Sequence, residues 1–133
     1  MAYVAGYAYC DNVAQVSDGD VYLVPLRRMI EDAYVNCSEI TYDNGNITII
    51  LSDPEAQVVK LTLSIGDNKV LVTSEGSEEV VYTTHAAHRM VDGMVFVSTD
   101  FFEKCLGWTM SEISLNVLEN TLSCGYDTGK WDY

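Results

Sequence analysis

The feature that most constrains this chain is an internal match at one fixed spacing. Val24-Pro25-Leu26-Arg27-Arg28-Met29-Ile30-Glu31-Asp32-Ala33-Tyr34 lies over Val97-Ser98-Thr99-Asp100-Phe101-Phe102-Glu103-Lys104-Cys105-Leu106-Gly107, an offset of 73 residues from Val24 to Val97. The same offset sets Ser38-Glu39-Ile40-Thr41 over Ser111-Glu112-Ile113-Ser114 without a gap, and Asp18-Gly19 pairs with Asp92-Gly93 after one inserted residue. A single matching element arises easily by chance. An offset that holds through a helix and the strand after it points to a duplicated unit of turn, strand, helix and strand.

Local patterns supply the elements. After Pro25, which suits the first turn of a helix because its missing N–H needs no partner there, Leu26, Met29, Ile30 and Ala33 repeat at helical spacing. Ser98 or Thr99 can cap a second helix, with Phe101, Phe102, Cys105 and Leu106 as its apolar face and Gly107 as its stop. Asn44-Gly45 between Glu39–Tyr42 and Ile47–Leu51 predicts a hairpin. Val59, Leu61, Leu63 and Ile65 alternate on one strand face, and Ile113, Leu115 and Val117 are expected to point inward from another. The fold class expected is α+β: duplicated strand–helix–strand units, two helices packed on antiparallel β-sheets. One domain spans 1–122, with repeats at about 18–51 and 92–119. Residues 123–133, which show no period, are expected to be a C-terminal tail that docks by its aromatics or stays mobile.

The first copy carries a motif: Asp18-Gly19, Val21, then Val24-Pro25-Leu26-Arg27, a helix, Tyr42-Asp43 and Ile47-Thr48-Ile49, followed by Leu61-Thr62-Leu63-Ser64-Ile65-Gly66. It resembles the copper amine oxidase N-terminal-like domain, the stalk domain of many bacterial surface proteins, over about residues 3–120. The second copy departs, with Ser98-Thr99-Asp100 where Pro-Leu-Arg is usual. The resemblance implies a small accessory module of larger proteins, with copper chemistry left to a separate catalytic domain. The residues agree with that implication. Thr41 stands where a quinone-forming tyrosine would need asparagine before Tyr42, and the chain has two histidines where three ligands would be required.

Composition narrows the partners. With 20 acidic and 7 basic residues the formal charge is −13, which disfavours contact with a phosphate backbone or an anionic membrane. The acids are scattered along the chain, as on an ordinary solvated surface. No apolar window is long enough to span a bilayer. The N-terminus lacks the positive start of a signal peptide. The expected compartment is therefore the cytoplasm for a complete chain, or the cell surface or exterior for one whose leader has been removed. Cys10, Cys37, Cys105 and Cys124 contain no Cys-x-x-Cys; they could pair three ways, and buried free thiols are the default.

No residue set calls for an enzyme. There is no nucleophile elbow, no phosphate-binding glycine loop and no activated cysteine context. No cofactor is expected. His85 and His88, spaced His-x-x-His, could hold a metal if both lay on one helical turn, but no further ligand stands nearby, and a pair of loop histidines is the plainer reading. Arg27 and Arg28 form the one adjacent basic pair and could contact an anion, against the plainer reading of an Arg27–Glu31 pair on a wet helix face. Tyr3, Tyr7 and Tyr9, read on one strand face, could be a recognition surface or the wide side of a small core. The function expected is a non-catalytic binding or structural module acting through its surface, accessory to a larger assembly. Its partner would be a protein, or a second copy through edge-strand pairing. The alternative is an acidic inhibitor encoded by a phage or mobile element, covering a basic site on a host defence protein or sequestering a small signalling ligand.

Overall fold

The computed structural model describes residues 3–14, 16–19, 21–52 and 58–129, with the backbone alone for Tyr3, Ser17 and Asp18. The chain runs β1 (Tyr3–Val4), β2 (Tyr7–Ala14), β3 (Val16–Asp18), β4 (Val21–Pro25), α1 (Leu26–Ala33), β5 (Tyr34–Val35), β6 (Ser38–Asp43), β7 (Asn46–Ser52) and β8 (Val58–Ser64). It continues with β9 (Lys69–Ser74), β10 (Val80–Thr83), β11 (Arg89–Val91), β12 (Met94–Ser98), α2 (Asp100–Leu106), β13 (Thr109–Asn116) and β14 (Thr121–Asp127). No helix among the described residues is long and apolar enough to cross a membrane.

The α+β class is overturned: the described residues are mostly β, 60% strand and 13% helix. Three antiparallel sheets carry it, in the orders β10-β9-β8-β7-β6, β11-β12-β4-β3 and β13-β14-β2, with a two-stranded β1-β5 ladder beside them. The helical periods in the sequence are real but cover two turns each, eight residues in α1 and seven in α2. Helices this short are marginal alone and form because strands bury one face of them. They are inserts between sheets rather than a layer.

The middle sheet organises the molecule. β4 and β12 run antiparallel with Val24 opposite Val97 and Pro25 opposite Phe96. Each is the second strand of a hairpin, β3–β4 and β11–β12, each feeds a helix, and each helix leads to another hairpin, β6–β7 and β13–β14. The strands before these segments are exchanged. β2, which precedes β3, pairs with β14, while β10, which precedes β11, pairs with β9 of the sheet that begins with β6. Neither segment closes its own sheet.

One core fills the space between the sheets. Leu26, Met29, Ile30 and Ala33 of α1 are fully buried with Ile47, Ile49, Leu51, Leu61 and Leu63. Under α2, Phe102 stacks on Trp108 at 5.0 Å between ring centres, and Phe101 and Tyr126 meet Phe102 at 5.1 and 5.2 Å. Such ring contacts add to plain burial. The Tyr126 hydroxyl, inside this cluster, donates to the Thr99 carbonyl at 2.8 Å, and burial pushes its pKa up.

Two further expectations change. Residues 123–127, read as the start of a tail, belong to β14, the central strand of its sheet, with Leu122, Cys124, Gly125 and Tyr126 buried. Leu122, Cys124 and Tyr126 do alternate on its covered face, but with Thr121, Ser123, Gly125 and Asp127 between them the run holds few of the β-branched and aromatic residues that mark a strand. Residues 130–133 lie outside the described part. Ile113, Leu115 and Val117 do not point inward: all three are exposed, because β13 is a sheet edge with nothing packed over it.

Candidate functional site

Where α1 crosses the sheets it leaves an open groove of about 670 Å3. The floor is apolar: Pro25 and Leu26 at the helix start, Val13 from β2, Ile40 and Ile47 from the β6–β7 hairpin, and Val95 from β12. Tyr42, Met90 and Met94 stand around it with much of their surface exposed. Met94 reaches this position because Asp92 and Gly93, with φ of 51° and 80°, form the tight turn between β11 and β12. Such positive-φ pairs match the twist of a two-residue hairpin.

Charge is added by the outer face of α1. The buried residues of that helix face the core, which turns Arg27, Arg28 and Glu31 outward onto the groove's rim. Arg27 Nη1 meets Glu31 Oε1 at 3.1 Å, and its Nη2 reaches the Ile40 carbonyl at 3.4 Å. That exposed pair contributes little stability, yet it cancels two charges and leaves Arg28, which has no hydrogen-bond or ion-pair partner among the described residues. In a chain of charge −13, the rim of this groove carries a net positive charge. A smaller hollow of about 340 Å3, lined by Tyr34, Asn36 and Ser38, shares Arg27, Glu31 and Ile40 with it.

The tyrosines expected as a surface do not share one strand. Tyr3 lies in β1, opposite Val35, and Tyr7 and Tyr9 lie in β2 beyond a break at Ala5 and Gly6. Tyr7 and Tyr9 stack at 6.4 Å on the open face of the three-stranded sheet. The Tyr7 hydroxyl donates to Glu112 at 2.7 Å and accepts from Ser111 at 2.9 Å, so its ring is laid across Gly125 of β14. These contacts tie three strands together and account for Tyr7 without a ligand.

His85 and His88 are separated by their surroundings. His85 is exposed, with Nδ1 3.6 Å from Asp100, whereas His88 is buried, its Nε2 3.0 Å from the Lys69 carbonyl. Burial lowers the His88 pKa below 6.5, and Nδ1 has no partner among the described residues. The segment is an irregular crossing bent at His85 and Ala86, not a helical turn, and no group of three or more potential metal ligands occurs among the described residues. Beside it, Asp100 gathers the Ser98 hydroxyl, the His85 backbone N–H at 3.1 Å and the Lys104 ammonium at 2.9 Å. Burial raises the Asp100 pKa, but these donors outweigh it and hold the carboxyl below its usual value. Ser98 bonds the aspartate and not the histidine, so this is a clamp between the crossing and α2 rather than a nucleophile with its base.

Of the residues singled out in the sequence, Arg27 and Arg28 alone come together at a concave site. Met90 and Met94 were missed, and Tyr42 was weighed only as a quinone-forming tyrosine. Their signal was faint: large apolar side chains beside turns, where a strand end has no neighbour to cover them. No protein family, curated protein or solved structure matches the chain.

Proposed function

We propose that this chain is a non-catalytic binding module, and that its contact surface is the groove along α1. The carrying observation is the conjunction of an exposed apolar trough with a net positive rim on an otherwise acidic molecule. The occupant that fits is an extended apolar segment of a protein partner bearing a carboxylate: its side chains displace water from Met90, Met94 and Tyr42, and its acid meets Arg28. Methionine and aromatic side chains suit such adaptable contact. The resemblance to stalk domains, which serve as accessory pieces of larger proteins, supports the same reading.

The test compares partners recovered from the native host by the wild-type chain, by Arg28→Glu, by Met94→Lys, and by Val81→Lys at the distant β10 edge. The expected result is a protein lost with both groove variants and kept by the edge variant, which then binds the purified chain directly in calorimetry. Unchanged recovery with the groove variants overturns the proposal. Loss of every partner at high salt, whichever variant is used, would instead favour the acidic inhibitor, because exposed charge pairs are screened and apolar contact is not.

A further inference from the structure

The three-stranded sheet brings the two ends of the chain together, with Tyr7 of β2 opposite Asp127 of β14. Within this ladder Cys10 and Cys124 are direct cross-strand partners, 114 positions apart in sequence. Both are buried, and their sulfurs lie 3.5 Å apart. We propose that Cys10 and Cys124 are a disulfide site that closes the molecule by joining its first long strand to its last.

The geometry needs little change. A disulfide requires sulfurs about 2.05 Å apart and Cβ atoms about 3.8 Å apart, so the sulfurs must approach by roughly 1.5 Å. The ladder has slack at this point, since its register shifts between Leu122 and Cys124, and bulged strands bend locally. Cys37 and Cys105 sit elsewhere, each half-buried, and the Cys105 thiol is pushed up to about 12 by burial. The hydrogen bond between the two sulfurs stabilises the thiolate of whichever thiol gives up its proton, and the Arg28 charge near Cys10 favours that sulfur as the first nucleophile.

The oxidant is a small-molecule disulfide such as oxidised glutathione. Cys10 thiolate attacks one of its sulfurs, breaking that S–S bond and releasing one glutathione. Cys124 then attacks Cys10 Sγ, forming the protein disulfide and releasing the second. Two protein thiols lose two electrons, one glutathione disulfide gains them, and the two thiol protons end on the two glutathiones. Because both sulfurs are buried, exchange proceeds during folding or on opening of the β2–β14 pair.

The experiment refolds the full chain from urea in oxidised and reduced glutathione, quenches with acid, and maps disulfides by mass spectrometry after alkylation of free thiols. The expected product has two free thiols, Cys37 and Cys105, one Cys10–Cys124 peptide link, and a urea midpoint above that of the reduced protein. Cys10→Ala and Cys124→Ala lose the link, and a Cys37→Ser/Cys105→Ser double variant keeps it. Refolded protein with four free thiols, with glutathione adducts only, or with another pairing overturns the proposal. Refolding passes through an accessible chain, so burial cannot conceal the result.

Discussion

At the scale of single residues, the polar groups inside the molecule act as fasteners. Asp100 holds α2 to the crossing that carries His85, and Lys104 extends the hold to the Thr83 carbonyl at 2.9 Å. Asp100→Ala leaves the Ser98 hydroxyl and the His85 N–H without an acceptor, and is expected to cost about 3 kcal/mol in urea unfolding. Because the folded pKa of Asp100 is depressed, its contribution is full above the unfolded carboxyl value and fades as pH falls through the folded one. His88 acts in a higher pH range with the same sign. Its folded pKa lies below 6.5, so the unfolded chain takes up a proton first, and stability declines as pH drops below 6.5. His88→Gln, which keeps a donor for the Lys69 carbonyl and does not titrate, should flatten urea midpoints between pH 7 and 5, whereas an unchanged slope would assign the decline to other groups. At Gly125, a methyl group would collide with the Tyr7 phenol. Gly125→Ala is expected to displace that ring from Glu112 and Ser111 and to lower stability by about 1 kcal/mol, and in a Tyr7→Ala background the same substitution should cost little if the collision is the cause.

At the scale of elements, what could be read from the sequence depended on whether an element had one covered face. α1 qualifies: its four apolar positions are its four buried ones. Hairpins qualify too, since Asn44-Gly45 and Asp92-Gly93 specify their turns locally. β13 and β14 escape in opposite ways. β13 alternates like a half-buried strand but has neither face covered beyond Met110, while β14 has a covered face that only Leu122, Cys124 and Tyr126 mark, in a run of small and polar residues. Periodicity reports a pattern of side chains, and neighbours from distant sequence decide whether the pattern is used. The candidate site was half legible for the same reason: Arg27 and Arg28 stood out by charge, but the trough beside them is assembled from four separated stretches. The β13–β14 hairpin ends in Val117 and Leu118, 87% and 98% exposed. Side chains with so little contact contribute nothing to the fold. Val117→Ser/Leu118→Ser is expected to leave the urea midpoint within about 0.5 kcal/mol of wild type, and a larger loss would mean the tip is covered in solution.

At the scale of the whole molecule, the exchange of β2 and β10 decides how the chain can come apart. The 73-residue offset invites a cut between two self-sufficient halves. The strand pairings forbid it. A fragment ending in the turn at Gly76 keeps β1 through β9 but loses β10 beside β9, β12 beside β4 and β14 beside β2. The complementary fragment keeps β10 through β14 but loses β9 beside β10, β4 beside β12 and β2 beside β14. Each would expose sheet edges and a cut core, and domains of this size have only about 5–15 kcal/mol of stability to lose. Each fragment alone should therefore give the far-UV circular dichroism of an unfolded chain. Mixed at equal concentration, the two should regain strand signal and elute together at the mass of the intact protein, since every missing partner is then supplied. A fragment that folds alone would show that the exchanged strands are dispensable, and that the fold is two joined units rather than one interlocked body.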